Sequence, residues 1–325
     1  MKKKLTYNPE FDALTSKEQL LLDELALCIN QFVETSPQLS KVPHRTRDAH
    51  ATTYAVLKGK FLIDKDFEEQ SVFPATMMDA VLRISNAHMK VVKGKAVPAY
   101  GFSLKLQHKG HTTANFPLVN FPLFPFNNAT LFLKIFKAFN RFFYGNIVQK
   151  TSSMFSIIVG FLRTLPQILH PSFVKNLMAF IKRRNDFILS WTYHSIGVYR
   201  LGNHLVKIRL VPDPVQPVQD TDNPNVAIAE HMVQNGQFTA RLFVQYAYNL
   251  NEQPVNELNR EWQNSEFVPI GSLIFTSVLR KNDPQQEMLS FNPFENTEGL
   301  KPVGKIQQLR KKAYEASYNA RSHPL

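Results

Sequence analysis

At 325 residues, 44% of them hydrophobic, the chain can bury a substantial core in one large domain or two modest ones. Its net charge of +12 points first to an anionic partner, but the excess is local: residues 80–185 contain 15 Lys and Arg, no Asp or Glu, and 14 of the 26 Phe. Cys28 is the only cysteine, which excludes an intrachain disulfide and argues against a thiolate-ligated metal.

The start Met1-Lys-Lys-Lys is basic, but Leu5-Thr-Tyr-Asn-Pro-Glu-Phe is no apolar h-region, so the expectation is a cytoplasmic chain without a signal peptide. No run reaches the ~18 apolar residues of a spanning helix. Ser16-Lys-Glu-Gln19 reads as a capping box ahead of Leu21, Leu22, Leu25, Ile29, Phe32 and Val33, an amphipathic helix to about Glu34. This predicts an N-terminal helical arm over 1–40 that docks on the core. Pro37 and Pro43 then extend the chain.

Strand-like runs follow at 52–63, 97–107, 193–199, 203–211, 239–249 and 267–276, which suggests an antiparallel barrel or sandwich. Pro212 to Asn225 reads as an irregular surface connection. His108 and His111 read as solvated loop histidines, His194 as a core residue and Met77-Met78 as packing.

The segment 121–185 differs in kind. In Leu131 to Tyr144, Phe132, Ile135, Phe136, Phe139, Phe142 and Phe143 recur at helical spacing, with Lys134, Lys137 and Arg141 opposite. Two readings stand: a helix that covers the barrel with its aromatic face, or one that lies on an anionic membrane. Met154 to Arg184 repeats this chemistry, and a Phe-rich, basic region also suits a long-chain carboxylate substrate. With no helix-turn-helix or zinc pattern, a nucleic-acid partner is not expected.

The last helical stretch, Arg310-Lys-Lys-Ala-Tyr314-Glu-Ala-Ser317-Tyr318-Asn-Ala-Arg321, has no Gly or Pro. At about 100° per residue, Arg310, Tyr314, Ser317 and Arg321 fall within about 60° of one another, with Tyr318 off that stripe. A guanidinium beside a phenol favours the phenolate, a hard anionic ligand, and tyrosinate is a known axial ligand of haem iron. The plain alternative is a surface helix.

Arg47-Asp48-Ala49-His50-Ala51 opens the strand at 52–63, and here the chain resembles the haem catalase superfamily. This stretch is similar to the family's distal-histidine segment, and Arg310-x-x-x-Tyr314 with Arg321 is similar to its proximal helix. Val81-Leu-Arg83-Ile-Ser85 and Ala99-Tyr-Gly101-Phe102-Ser-Leu-Lys-Leu resemble two barrel segments. Ser190-Trp-Thr-Tyr193 to Arg200, the Glu261-Trp262 region and Ser290-Phe-Asn-Pro293 resemble the short catalase-related proteins. The resemblance covers roughly residues 40 to 325.

It implies an α+β fold, a closed antiparallel β-barrel with flanking helices, in a domain over 41–325 with haem b between barrel and C-terminal helix. The implied roles are Tyr314 as iron ligand, Arg310 as its cationic partner, Arg47, Arg83 and Arg321 as propionate ligands, His50 as proton carrier and Ser85 as its orienting hydroxyl. The distal amide departs from the family pattern: in Leu118-Val119-Asn120-Phe121-Pro122, Val119 stands at the family's offset and Asn120 one place later. Either a shifted strand lets Asn120 serve or the amide is missing; the expectation carried forward is Asn120. The implied activity is haem-dependent processing of hydrogen peroxide or an organic hydroperoxide. The alternatives are a fatty-acid hydroperoxide isomerase and a non-catalytic haem- or lipid-binding protein. Peripheral membrane contact through 121–185 and homo-oligomerisation are left open.

Overall fold

The computed structural model describes residues 2–91, 97–216, 223–279 and 284–322. Its first helix, α1 (Ser16–Ser40), is capped one residue earlier than the sequence pattern predicts. Thr15 is the cap, and the Glu18 carboxylate accepts from both its amide and its hydroxyl. The helix also continues past Glu34 and through Pro37. Proline cannot donate to the Val33 carbonyl, but the Ser36 hydroxyl does so at 2.6 Å, so no buried acceptor is left bare.

Four strands follow, β1 (Thr52–Ile63), β2 (Met77–Asn86), β3 (Tyr100–His108) and β4 (His111–Val119), then three helices, α2 (Ala129–Tyr144), α3 (Ile147–Ile168) and α4 (Pro171–Lys182). The chain re-enters the sheet through β5 (Tyr193–His194), β6 (Val198–Leu201) and β7 (His204–Pro212). After α5 (Pro224–Asn235) come β8 (Phe238–Tyr246), β9 (Phe267–Val278), the short α6 (Pro284–Met288), β10 (Pro302–Val303) and α7 (Lys305–Ser322). Helix α5 was not expected from the sequence, although Pro224 in its first turn and Gly236 at its C-cap, at φ 69°, are ordinary boundary residues. Of the connection expected from Pro212 to Asn225, residues 217–222 lie outside the described residues.

Eight antiparallel strands, in the order β7-β5-β4-β3-β2-β1-β9-β8, close into a barrel through the pairing of β8 with β7. Strands β6 and β10 extend beyond it. Two barrel strands, β2 and β4, were not among the strand-like runs; Pro117 inside β4 weakens that signal. The β3–β4 turn is tight, with Lys109 and Gly110 at φ 49° and 81°, and it leaves His111 exposed.

The side-chain period of two sorts each strand into faces. Leu82, Ile84, Phe102, Leu104, Phe116 and Leu118 fill the barrel, while Arg83, Ser85, Ser103, Pro117 and Val119 alternate with them. Against that outer face stands a helical layer in which Leu25 and Phe32 of α1, Leu133 of α2 and Leu309 of α7 form one apolar cluster. The N-terminal helix therefore docks as an integral wall. The aromatic face of α2 is covered as well, and its Lys137 pairs with Glu24 of α1 at 2.6 Å, so this helix covers the barrel with its aromatic face.

The buried Ser36 hydroxyl also accepts from the Thr46 amide at 2.7 Å and so ties α1 to the segment leading into β1. Ser36→Ala bares the Val33 carbonyl and the Thr46 amide together. The expected loss is about 1–3 kcal/mol of unfolding free energy in a urea titration; an unchanged midpoint would show that neither bond matters.

Candidate functional site

His50 enters the site from the turn before β1. Its backbone is in the left-handed region at φ 56°, and Arg83 holds it there: the buried guanidinium donates to the His50 carbonyl at 2.7 Å and to the Thr53 hydroxyl at 2.8 Å. The imidazole rests on bare backbone. A Cβ at Gly101 would stand 2.6 Å from both Nδ1 and Cε1 of the ring. His50 Nδ1 lies 3.1 Å from Ser85 Oγ, and Ser85 donates its one proton to the Gly101 carbonyl at 3.3 Å. In the tautomer that this arrangement accommodates, Nδ1 donates to the Ser85 hydroxyl and Nε2 is the unprotonated base. Burial, followed by the charges of Arg83, Arg310 and Arg47, pushes the imidazole pKa down to about 3.

Tyr314 projects from α7. Arg310, one turn before it, donates to its phenolic oxygen at 2.9 Å and to Gln307 Oε1 at 2.7 Å, and Gln307 donates in turn to the Val198 carbonyl of β6. Burial lowers the proton affinity of Arg310, but the phenolic oxygens of Tyr314 and Tyr199 outweigh it, so its pKa rises. Gly197 makes room for this chain of bonds: a Cβ there would meet Gln307 at 2.5 Å.

Arg47, Arg83, Arg310, Arg321, His50 and Tyr314 all line one cavity of about 340 Å³ between the outer face of the barrel and α1, α2 and α7. Leu25, Phe132, Phe136 and Leu309 give it apolar walls. Behind Arg47 lies a residue that sequence reasoning missed, Glu287 of α6. Its carboxylate accepts from Arg47 at 2.5 Å and from Thr53 at 2.8 Å, and its carbonyl accepts from Arg321. Burial would raise its pKa, but Arg47, Arg83, the Thr53 hydroxyl and Arg321 hold it at about 2. No local pattern marks Glu287; its role comes from a contact between residues far apart in the chain.

Asn120 does not join this group. Its amide donates to the Pro98 carbonyl at 2.8 Å and accepts from the Tyr100 amide at 2.8 Å, closing the end of the barrel. Val119 faces the cavity instead. In a period-two strand a one-residue offset turns a side chain to the other face, and here it is Val119 rather than Asn120 that reaches the cavity. Ser85 stands behind His50 rather than on the cavity surface.

The lining suits an anionic occupant with an apolar body and a centre that accepts an oxygen ligand. Among the described lining residues, four guanidiniums face one carboxylate, Asp48, whose pKa is raised by burial. Like-charge proximity adds to burial in lowering the pKa of Arg83, to about 9, and of Arg321. Two carboxylates from an occupant would relieve that excess, and the Tyr314 oxygen of α7 and the His50 imidazole from the turn before β1 line the same cavity. Haem has these properties, so the residues present fit it.

Comparison with solved structures shows the same architecture. Catalase A from Saccharomyces cerevisiae superposes with a TM-score of 0.67 at 13% identity, over 99% of this chain and 67% of that one. The fold is that of the catalases. A fungal catalase gives 0.67 at 14% identity, over 100% and 66%, and a bacterial catalase 0.66 at 13% identity, over 98% and 63%. The chain thus spans about two thirds of the length of these catalases. No protein-family model and no curated protein matches the sequence.

Two predictions follow from the His50 geometry. Gly101→Ala should displace the imidazole from Ser85, seen as loss of the slowly exchanging Nδ1 proton by NMR with the fold retained; an unmoved resonance contradicts the packing. The ordinary histidine pKa of 6.5 falls to about 3 on folding, so the unfolded chain takes up the proton first. Stability should be full above pH 6.5 and decline as the pH falls toward 3. His194, pushed to about 3 by burial and Arg209, adds a parallel slope. His50→Asn should flatten part of that acid limb in urea titrations across the range; an unaltered slope would show that His50 titrates as in the unfolded chain.

Proposed function

We propose that this protein is a haem-dependent oxidoreductase that processes hydroperoxides, with an organic hydroperoxide favoured over hydrogen peroxide. The observation that carries this reading is that the Arg310–Tyr314 pair and His50, backed by Ser85, open onto the same cavity. Haem b would be held by the Tyr314 oxygen, with Arg47, Arg83 and Arg321 toward its carboxylates. Once bound, it would supply the redox-active iron.

The protein's own residues then handle the proton. His50 Nε2 is neutral across the physiological range and is placed to accept a proton from a hydroperoxide in the cavity and return it to the other oxygen. Ser85 fixes the tautomer, and Arg83 fixes the backbone that carries the ring. Arg310 keeps a positive charge against the phenolic oxygen, which supports its use as an anionic ligand. The apolar walls exclude water, so these interactions act in a low-dielectric space.

The substrate preference rests on Val119, Phe132 and Phe136. The cavity offers no side-chain amide from residue 119 or 120 to a small peroxide, and its aromatic wall gives an apolar tail a surface to bury. The same wall supports a second reading, isomerisation of a fatty-acid hydroperoxide, in which oxygen is rearranged within the substrate rather than passed to a reductant.

The test is the visible spectrum of the chain purified from haem-replete cells, followed by mixing with hydrogen peroxide and separately with a fatty-acid hydroperoxide. Haem absorbance with faster consumption of the lipid hydroperoxide is expected, and product analysis separates reduction from isomerisation. His50→Ala should keep the spectrum and slow turnover by about 10²–10⁴-fold. Tyr314→Phe should lose haem or its phenolate signature; an unchanged spectrum contradicts the ligand assignment. Haem without turnover would leave a binding protein and overturn the enzymatic reading.

A further inference from the structure

Helix α3 is turned inside out. Its packed face is small and polar, with Ser153, Gly160 and Thr164 buried, and a Cβ at Gly160 would stand 2.3 Å from Ile135 of α2. Its large apolar side chains face outward instead: Phe155 is 69% exposed, Leu162 60% and Ile158 53%. At 100° per residue, Met154, Phe155, Ile158, Phe161, Leu162 and Leu165 fall within an arc of roughly 120°. Lys150 and Arg163 flank that arc on its two sides. Helix α4, bent 102° from α3, also exposes Met178, at 54%, with Lys175 and Lys182 about one turn to either side. A helix of a water-soluble surface shows the opposite arrangement, and an apolar patch of this kind marks a docking site.

Charge selects the occupant. From residue 80 to 185 there is no carboxylate side chain, and among the described residues Lys150, Arg163, Lys175 and Lys182 form no ion pair. A second copy placed on this face would bring like charges together, whereas an anionic lipid surface would complement both the apolar arc and its cationic margins. Among the described residues no single helix is long and apolar enough to cross a membrane, and α3 and α4, which together have that length and composition, are broken by the 102° bend. We propose that α3 and α4 attach this protein to an anionic phospholipid bilayer, lying in its interface without spanning it. The inference is independent of haem and of any reaction. It would place the cavity close to lipid, because α2 carries Phe132 and Phe136 on the cavity and Phe139 against Phe161 of α3.

The full-length chain is sedimented with vesicles of phosphatidylcholine alone and of phosphatidylcholine with phosphatidylserine, at low and high salt. Binding to the phosphatidylserine vesicles that weakens with salt is expected. The double variant Phe155→Asp with Leu162→Asp should bind at least about tenfold less while unfolding at an unchanged temperature. Lys175→Glu with Lys182→Glu should lose about tenfold or more on the anionic vesicles only. Absence of vesicle binding by the parent chain overturns the proposal, as does equal binding by the aspartate variant. A stable dimer by light scattering that the aspartate variant dissolves, without vesicle binding, would assign the face to a second copy and overturn it too.

Discussion

Four guanidiniums around one cavity are costly to bury, and the architecture of the site follows from how that charge is answered. Arg310 is answered by the Tyr314 oxygen, Arg47 by the Glu287 carboxylate, Arg83 by the His50 carbonyl and the Thr53 hydroxyl, and Arg321 by backbone carbonyls. Each answer also fixes a chemical group: the phenol on α7, the left-handed turn at His50, the seam between α6 and α7. Neutral oxygens meet the geometric demands of a guanidinium but cancel no charge. The residual positive potential is what makes an anionic occupant the natural complement of this space.

The barrel and the helical layer contribute differently. The barrel supplies rigidity, with Arg83 and Ser85 on successive outward positions of β2 and Gly101 of β3 beside them, so that His50 is held by three points from adjacent strands. The helical layer supplies enclosure. Leu25 from α1 and Phe132 and Phe136 from α2 complete walls that the barrel alone leaves open. Glu287 joins the two halves of the site, accepting from Arg47 on one side and Arg321 on the other. The solved catalases share this arrangement of elements at 13–14% identity, a level at which the fold is shared while the details of the lining are this chain's own.

Helices α2 and α3 show how one composition yields two surfaces. Both are apolar, carry basic residues and are free of acids, yet α2 turns its aromatic side inward and α3 turns its apolar side outward. The difference is steric. Gly160 and the small residues near it let α3 approach α2 closely along a narrow stripe, and of the bulky side chains Phe161 reaches α2 only at the edge of that contact, against Phe139. Periodicity reports that a helix has two faces; it does not say which face meets protein.

Much of the site was legible in the linear order of residues, because short-range spacing controls it. The four-residue step from Arg310 to Tyr314 becomes one helical turn whatever surrounds it, and the two-residue step from Arg83 to Ser85 keeps both on one face of a strand. Other features were not legible. The amide of Asn120 and the side chain of Val119 exchange faces with a single step of register, and only the closed sheet fixes that register. Glu287 meets Arg47 across 240 positions, a partnership no local pattern encodes. Pro37 reads as a helix end until the Ser36 hydroxyl is seen to cap Val33. The amino-acid order by itself determined many of the periodic elements and the stripe of Arg310, Tyr314 and Arg321 on the last helix, since backbone geometry alone enforces those spacings. Tertiary structure decided which faces meet, which charges are paired and which apolar side chains stay in solvent, because burial and pairing depend on neighbours that folding brings together.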